Sequence, residues 1–117
     1  MKTRDEQILT KILVEINVIN ELIAGYTVEL FVSDERTKRA VCMTLINIGE
    51  LAKNITDELR SETPDISWRG ISGMRDITAH KYQTLRMEDV WHTVIVELPK
   101  LNNQIHSLLN NTVAHGL

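Results

Sequence analysis

Apolar residues recur along the chain at the three- and four-residue spacing that places them on one face of a helix. The first such row predicts a helix from about Asp5 to Ala24, with Gly25 as its stop signal. The row consists of Ile8, Ile12, Ile16, Ile19 and Ile23, flanked by Leu9, Leu13, Val14, Val18 and Leu22. A stripe this wide indicates a helix that contacts both a core and a second surface.

Two further rows predict two more long helices. The second helix is expected to begin near Ser33 or Asp34, which are both good N-cap residues. Its row resembles a coiled-coil seam and contains Val41, Leu45, Ile48, Ala52, Ile55 and Leu59. The last helix is expected from about Met87 to Asn110, and Pro99 inside it predicts a kink. Its row contains Trp91, Val94, Leu98, Leu101, Ile105 and Leu108.

The segment between these two helices is irregular. Ser61–Gly73 contains a proline and two glycines, which predicts a loop with one short helical turn. A short third helix is expected from about Ile71 or Gly73 to His80, before a connection near Gln83–Arg86.

These elements predict an all-α bundle in which neighbouring long helices are antiparallel, because the connections are short. The 117 residues are enough for one domain, spanning 1–117 with a frayed tail over about 111–117. Two prolines and five glycines leave little material for the turns of an all-β fold. The apolar stripes are generous for so small a bundle, so we expect a second copy of the chain to cover part of them.

Composition and charge exclude several classes of protein. The net charge of −3 is unlike that of a basic nucleic-acid binder. A single cysteine, Cys42, excludes an internal disulfide framework and fits a reducing compartment. No apolar run approaches the length of a membrane span or a signal peptide, so no membrane partner and a cytoplasmic location are expected.

Charge is nevertheless uneven along the chain. The stretch 66–87 holds four cations and one acid, a local net charge of +3, together with one histidine. These residues are Arg69, Arg75, Lys81, Arg86, Asp76 and His80. Three of the five aromatic residues lie in or beside the same stretch: Trp68, Tyr82 and Trp91. A basic, histidine-containing segment in an acidic protein is a candidate anion site.

Several of these residues also have ordinary structural interpretations. Trp68 and Trp91 are expected to anchor the core, because tryptophan buries the largest apolar area. Solvated surface positions are expected for Arg36, Lys38, Arg39, Lys81 and Arg86. For the first three, at the start of the second helix, contact with a phosphate or an acidic partner is the alternative. His92, His106 and His115 are assigned no role.

Other chemistries lack their residues. No histidine pair has helical i, i+4 spacing and Cys42 has no partner cysteine, so no metal site is expected. There is no glycine-rich phosphate loop and no strand–elbow–helix context for a nucleophilic serine. On an ideal helix Arg75 and Tyr82 lie about 20° apart, whereas His80 lies about 140° around the axis from Arg75. The arginine and the histidine converge only if the helix ends or distorts, or if two copies share a cleft.

The stretch W-R-G-I-S-G-M-R-D-I-T-A-H-K-Y, Trp68–Tyr82, resembles the R-x4-6-H motif of the HEPN ribonucleases. It is most similar to the DUF86 toxin branch, which is paired with minimal nucleotidyltransferase antitoxins. The likeness extends to I-G-E-L-A at 48–52, V-W at 90–91 and L-P-K-L at 98–101. Ordered elements from about 40 to 105 therefore match this family.

The resemblance implies a homodimeric four-to-five-helix bundle with an RNA-cleaving cleft at the dimer interface. Arg75 and His80 match the catalytic pair, and Tyr82 matches the tyrosine to which the antitoxin adds AMP. Asp76 stands where the family usually has asparagine, and is the supporting polar residue. Arg86 stands where many relatives have an aspartate helix cap.

The chemistry of these side chains agrees with that implication. RNA carries its own nucleophile, the 2′-hydroxyl, so a protein needs only proton transfer and stabilisation of charge on the phosphate. His80 is suited to the proton transfers and Arg75 to the phosphate, without a metal or a cofactor. Arg69, Lys81 and Arg86 are the candidate RNA contacts.

Two other hypotheses remain open. The chain is alternatively a non-catalytic helical module that binds RNA or nucleotide, or that docks a nucleotidyltransferase. The last hypothesis is a purely structural dimeric bundle in which Arg75 and His80 form a satisfied polar pair.

Overall fold

The computed structural model describes the backbone of residues 1–115 and the side chains of residues 1–111. These residues form helices and no strand, as the hydrophobic pattern predicts. The α-helices are α1 Thr3–Leu22, α2 Val28–Ser33, α3 Glu35–Lys53, α4 Asp57–Glu62, α5 Trp68–Ser72, α6 Ala79–Thr84, α7 Met87–His92 and α8 Leu98–His115. A 3-10 turn, Gly73–Asp76, follows α5, and a π turn, Thr93–Glu97, joins α7 to α8. The all-α prediction is confirmed.

The three predicted apolar rows form the core. From α1 the buried side chains are Ile8, Leu9, Ile12, Ile16 and Ile19. From α3 they are Val41, Cys42, Leu45, Ile48 and Ala52, and from the π turn and α8 they are Val94, Leu98, Leu101 and Ile105. Helix α1 packs mainly against α3 and also contacts α8, so burial of these rows holds the bundle together. Trp68 is buried as expected, and Trp91 is partly buried.

Helix α3 is shorter than its apolar row suggests. It ends at Lys53, so Ile55 lies at a corner and Leu59 belongs to α4, although both side chains are buried. The corner is fixed by the buried carboxylate of Asp5, which accepts hydrogen bonds from the Thr56 backbone N–H at 3.0 Å and from its hydroxyl at 2.6 Å. Arg60 donates to the carbonyl of Ala52 at 3.1 Å, which also accepts from the backbone N–H of Ile55 at 3.2 Å, so the end of α3 is hydrogen-bonded to α4.

Helix α2 was not predicted. It follows the turn at Gly25, which has a φ of 77° and ends the first helical segment as the sequence indicates. The Thr27 hydroxyl caps α2 by accepting from the Leu30 N–H. Phe31 is fully buried, and its ring lies 5.3 Å from that of Trp91. Six residues are too few to show a helical period, so the sequence offers no signal for this helix except the capping residue Thr27.

The predicted third helix is wrong in one important respect, because it is two pieces instead of one. The first piece, α5 with the 3-10 turn, ends at Asp76, and the second piece is α6. Between them Ile77 and Thr78 have extended backbone, with ψ values of 104° and 171°. The Thr78 hydroxyl then accepts from the Lys81 N–H and caps α6 as a new helix.

Pro99 is the second residue of α8, which follows the π turn directly. Proline clashes with the carbonyl four residues earlier, and the wider turn over Thr93–Glu97 includes that residue, Ile95. The irregularity predicted at Pro99 therefore takes the form of a π turn. Of the frayed tail predicted over 111–117, residues 116–117 and the side chains from 112 onward lie outside the described residues.

Candidate functional site

The basic segment of residues 66–87 packs on α3 through its first half. Helix α5 and the 3-10 turn both pack against that helix, and α6 follows after the break at Ile77–Thr78. Arg75 lies in the 3-10 turn, and His80 is the second residue of α6. The break falls between them, so the angles of an ideal helix do not apply to this pair. A helix that ends between the two residues is one of the two arrangements that the sequence analysis allows for their convergence, the other being a cleft shared by two copies.

Gly49 allows the closest approach in the site. This glycine is buried in α3, and a Cβ atom built on it would lie 2.5 Å from the backbone nitrogen of Arg75 and 3.1 Å from the carbonyl oxygen of Ile71. Any side chain would displace the backbone of the turn. Glycine is therefore the residue that permits Arg75 to sit directly on α3.

The side chain of Arg75 is directed by the neighbouring residue of α3. Its Nη1 atom lies 3.7 Å from Oε1 of Glu50, with 37% of the arginine side chain and 53% of the glutamate side chain exposed. An ion pair this exposed contributes little stability. Its effect is to favour one orientation of the guanidinium, which remains open to solvent.

His80 is exposed and makes no hydrogen bond or ion pair with the side chains of residues 1–111. Arg75 pairs with Glu50 instead, so within one protomer the two residues do not form the satisfied polar pair of the structural hypothesis. Four other predicted site residues are also exposed and have no side-chain ion pair in that part of the chain: Arg69, Asp76, Lys81 and Arg86. The segment thus presents its charged groups to solvent.

Tyr82 connects α6 to the start of α3. Its hydroxyl donates a hydrogen bond to Glu35 at 3.1 Å, and the guanidinium of Arg39 lies 5.2 Å from the centre of its ring. Glu35 also pairs with Lys38 at 2.9 Å and with Arg39 at 3.1 Å. Lys38, Arg39 and Tyr82 lower the pKa of Glu35, so it is a carboxylate at neutral pH. Burial and then the hydrogen bond to Glu35 raise the pKa of Tyr82.

A groove runs beside Tyr82, between α3 and α6. Its volume is about 200 Å³, and its lining includes Arg39, Met43, Thr78, Tyr82 and Gln83. Arg39 and Tyr82 lie side by side in this lining. Met43, on α3, is 55% exposed.

Sequence reasoning missed three of these site residues, namely Glu35, Arg39 and Glu50. Arg39 is expected to be solvated, with contact to a phosphate or an acidic partner as the alternative. In the structure it contacts an aromatic ring that lies 43 positions further along the chain. The i, i+4 spacing of Glu35 and Arg39 is a visible signal for their pairing, but nothing in the spacing links either of them to Tyr82. Glu50 lies within the quoted I-G-E-L-A stretch, which offered no indication of its partner.

Within residues 1–111 no three histidine, cysteine, aspartate or glutamate side chains are grouped as metal ligands. Cys42 is buried, and burial raises the pKa of its thiol. No described helix is both long enough and apolar enough to cross a membrane.

The fold and the Arg75–His80 segment define a HEPN-type helical bundle, and comparison with known proteins specifies the family. The description "Ribonuclease HepT-like" belongs to the family model that matches residues 12–108. The chain therefore belongs to the HepT-like ribonuclease family.

Individual relatives agree with this assignment. A "Putative RNase" of Caldanaerobacter subterraneus subsp. tengcongensis is 35% identical over 101 residues, covering 86% of this chain and 90% of that protein. A "Probable ribonuclease HepT" of Thermococcus cleftensis is 32% identical over 108 residues, covering 92% and 98%. A "Putative RNase" of Methanocaldococcus jannaschii is 29% identical over 85 residues, covering 73% and 70%. No solved structure matches the chain significantly.

Proposed function

We propose that the chain is a metal-independent endoribonuclease, the toxin of a toxin–antitoxin pair. Membership of the HepT-like ribonuclease family supports the substrate class. The observation that carries the proposal is the exposed imidazole of His80, which has no hydrogen-bond or ion-pair partner among residues 1–111 and lies just beyond the break that follows the turn holding Arg75. A proton-transfer group and a phosphate-binding group lie on one solvent-facing segment.

His80 and Arg75 have distinct roles in the proposed reaction. A histidine removes the proton from the 2′-hydroxyl of RNA, whose oxygen then attacks the adjacent phosphorus. The bond from phosphorus to the 5′-oxygen breaks, and a histidine returns a proton to that leaving oxygen. Arg75 stabilises the charge that develops on the phosphate. The products carry a 2′,3′-cyclic phosphate and a 5′-hydroxyl.

Two proton transfers at one phosphate are served best by two imidazoles, which a homodimer would supply. One protomer has a single histidine in the segment, and Arg75 turns towards Glu50 instead of His80. The face of α1 also leaves Val14 and Val18 exposed, at 59% and 37%, as a surface that a second copy would cover. We therefore place the cleft between two copies of the chain.

The antitoxin in this proposal is a minimal nucleotidyltransferase that adds AMP to Tyr82. The phenol oxygen attacks the α-phosphorus of ATP, pyrophosphate leaves, and the phenolic proton passes to a base. The added nucleotide carries negative charge, which repels the RNA backbone, and it fills space beside Arg39 and the groove. The hydroxyl of Tyr82 donates a hydrogen bond to the exposed Glu35. This position at the surface supports the hydroxyl as the acceptor of the AMP group.

A cleavage assay tests the ribonuclease proposal. The chain, purified without a partner, should cut single-stranded RNA in the presence of EDTA and leave matched DNA intact, because DNA lacks the 2′-hydroxyl. His80→Ala and Arg75→Ala should each lose most activity, whereas His92→Ala should keep it. Activity that needs a divalent ion, or that survives His80→Ala, contradicts the mechanism.

One feature favours a second candidate function, a module that binds RNA without cutting it. Asp76 adjoins Arg75 in the 3-10 turn, is exposed, and has no ion-pair partner among residues 1–111. A free carboxylate there weakens the attraction for a phosphate. RNA binding without cleavage at any pH, together with cleavage gained in Asp76→Asn, would support that alternative.

A further inference from the structure

We propose that Glu50, together with Gly49, is the positioning element for Arg75, and that α3 thereby sets the geometry of the phosphate-binding group. The inference rests on the proposed ribonuclease function. It adds two residues that touch neither RNA nor the reacting atoms. Both act through Arg75.

The first step concerns the backbone. The 3-10 turn has four residues, of which Met74 is partly buried against the core and the other three are exposed. Its backbone packs on α3 at Gly49, whose missing Cβ leaves room for the backbone nitrogen of Arg75. Helix α3 is 19 residues long and packs against α1 in the core. A rigid helix therefore determines where the base of the arginine side chain lies.

The second step concerns the guanidinium. Glu50 follows Gly49 directly on α3. Gly49 contacts the backbone of the 3-10 turn, and Glu50 attracts the side chain of Arg75. The separation of 3.7 Å is too long for a hydrogen bond, so Glu50 attracts Arg75 without occupying its N–H donors. Within residues 1–111 those donors have no other acceptor. Glu50 thus attracts the guanidinium to one side while leaving its planar fork available to a phosphate.

The third step separates orientation from stability. The pair between Lys2 and Glu58, at 3.9 Å, is even more exposed and joins α4 to the residue before α1. Exposed pairs of this kind contribute little to folding, so neither should determine whether the chain folds. Glu58→Gln is therefore a matched control for Glu50→Gln, with the same chemical change in a pair that does not involve Arg75.

The experiment measures cleavage kinetics and the arginine signal in the full chain. Glu50→Gln should lower kcat by about fivefold without raising KM, because an exposed ion pair worth up to about 1 kcal/mol favours one orientation of the guanidinium by about that factor. Its melting temperature should stay close to that of the unchanged chain, and Glu58→Gln should keep kcat within about twofold. Adding Glu50→Gln to Arg75→Ala should cause no further loss, because a positioning residue has no effect once its target is absent.

A second readout does not depend on activity. The Nε–Hε resonance of Arg75 in ¹⁵N NMR spectra should move towards the position of a free arginine in Glu50→Gln and stay in place in Glu58→Gln. If the unchanged chain cuts no RNA, the proposed function fails, and the resonance still decides the positioning. An unchanged resonance, or equal losses of kcat with and without Arg75, would overturn the inference.

Discussion

Replacing Gly49 with alanine tests the structure of the site at its tightest point. The new Cβ would lie 2.5 Å from the backbone nitrogen of Arg75, whereas ordinary van der Waals contact begins at 3.4 Å. The turn must therefore move by about 1 Å. Such overpacking typically costs ~1–3 kcal/mol. Alanine offsets about 1 kcal/mol of this cost through its higher helix propensity in the interior of α3.

The expected net destabilisation is therefore between about 0 and 2 kcal/mol. At roughly 4 °C per kcal/mol, the melting temperature should fall by no more than about 8 °C. Activity should fall far more, because a 1 Å displacement of a positioned catalytic group costs about 100-fold. A small loss of stability with a large loss of turnover is the pattern that distinguishes a displaced arginine from an unfolded protein.

Calorimetry and RNA cleavage at a temperature well below the melting transition measure these two effects. Gly73→Ala is the matched control, because it makes the same change at the start of the 3-10 turn, where an added Cβ meets nothing within 4 Å. Its φ of −62° also suits alanine. Cleavage by Gly49→Ala within twofold of the unchanged chain would refute the argument, as would an equal loss in Gly73→Ala.

Three predictions concern the bundle itself. Asp5→Ala should lower the free energy of unfolding by about 1.5–3 kcal/mol in urea denaturation, because it removes the acceptor for both donors of Thr56. A loss as small as that of Asp57→Ala, at an exposed position, would contradict this. Phe31→Ala should lower the free energy of unfolding by ~3–5 kcal/mol in the same assay, since it empties a fully buried site beside Trp91. A loss below about 1 kcal/mol would show that α2 is not part of the core. Hydrogen bonds from Tyr26 and then Thr37 lower the pKa of Asp34 below 3.8, so its stabilisation is present above that pH and is lost as the pH falls through the lowered value. Thermal melts of Asp34→Asn should therefore show a smaller loss of stability below pH 4 than the unchanged chain, and parallel curves would contradict the assignment.

The core was predictable because burial follows a period that the sequence displays. The row on α1 and the row on α8 are buried as expected, since each continues over at least three helical turns. The end of α3 was not predictable in the same way. The row continues unbroken to Leu59 while the backbone turns at Thr56, because the cause is a carboxylate 51 positions earlier, on Asp5. The apolar period predicts which side chains are buried. It does not predict where the backbone turns when the side chains on both sides of the turn are buried.

The site shows the same limit more sharply. Arg75, His80 and Tyr82 were identified by residue type and motif, but Arg75 and Tyr82 are each placed by a contact that no local pattern displays. Arg75 rests on α3 because Gly49 has no side chain, and Tyr82 is tied to the other end of the same helix through Glu35. One helix therefore supports both the proposed catalytic arginine and the proposed modified tyrosine, 14 positions apart along α3 by their contact residues. Under the proposed function, AMP on the Tyr82 oxygen would replace the hydrogen that this hydroxyl donates to Glu35. The contact between Gly49 and the backbone of Arg75 would stay intact, so inhibition would act on the side of the proposed cleft that holds α6 and His80.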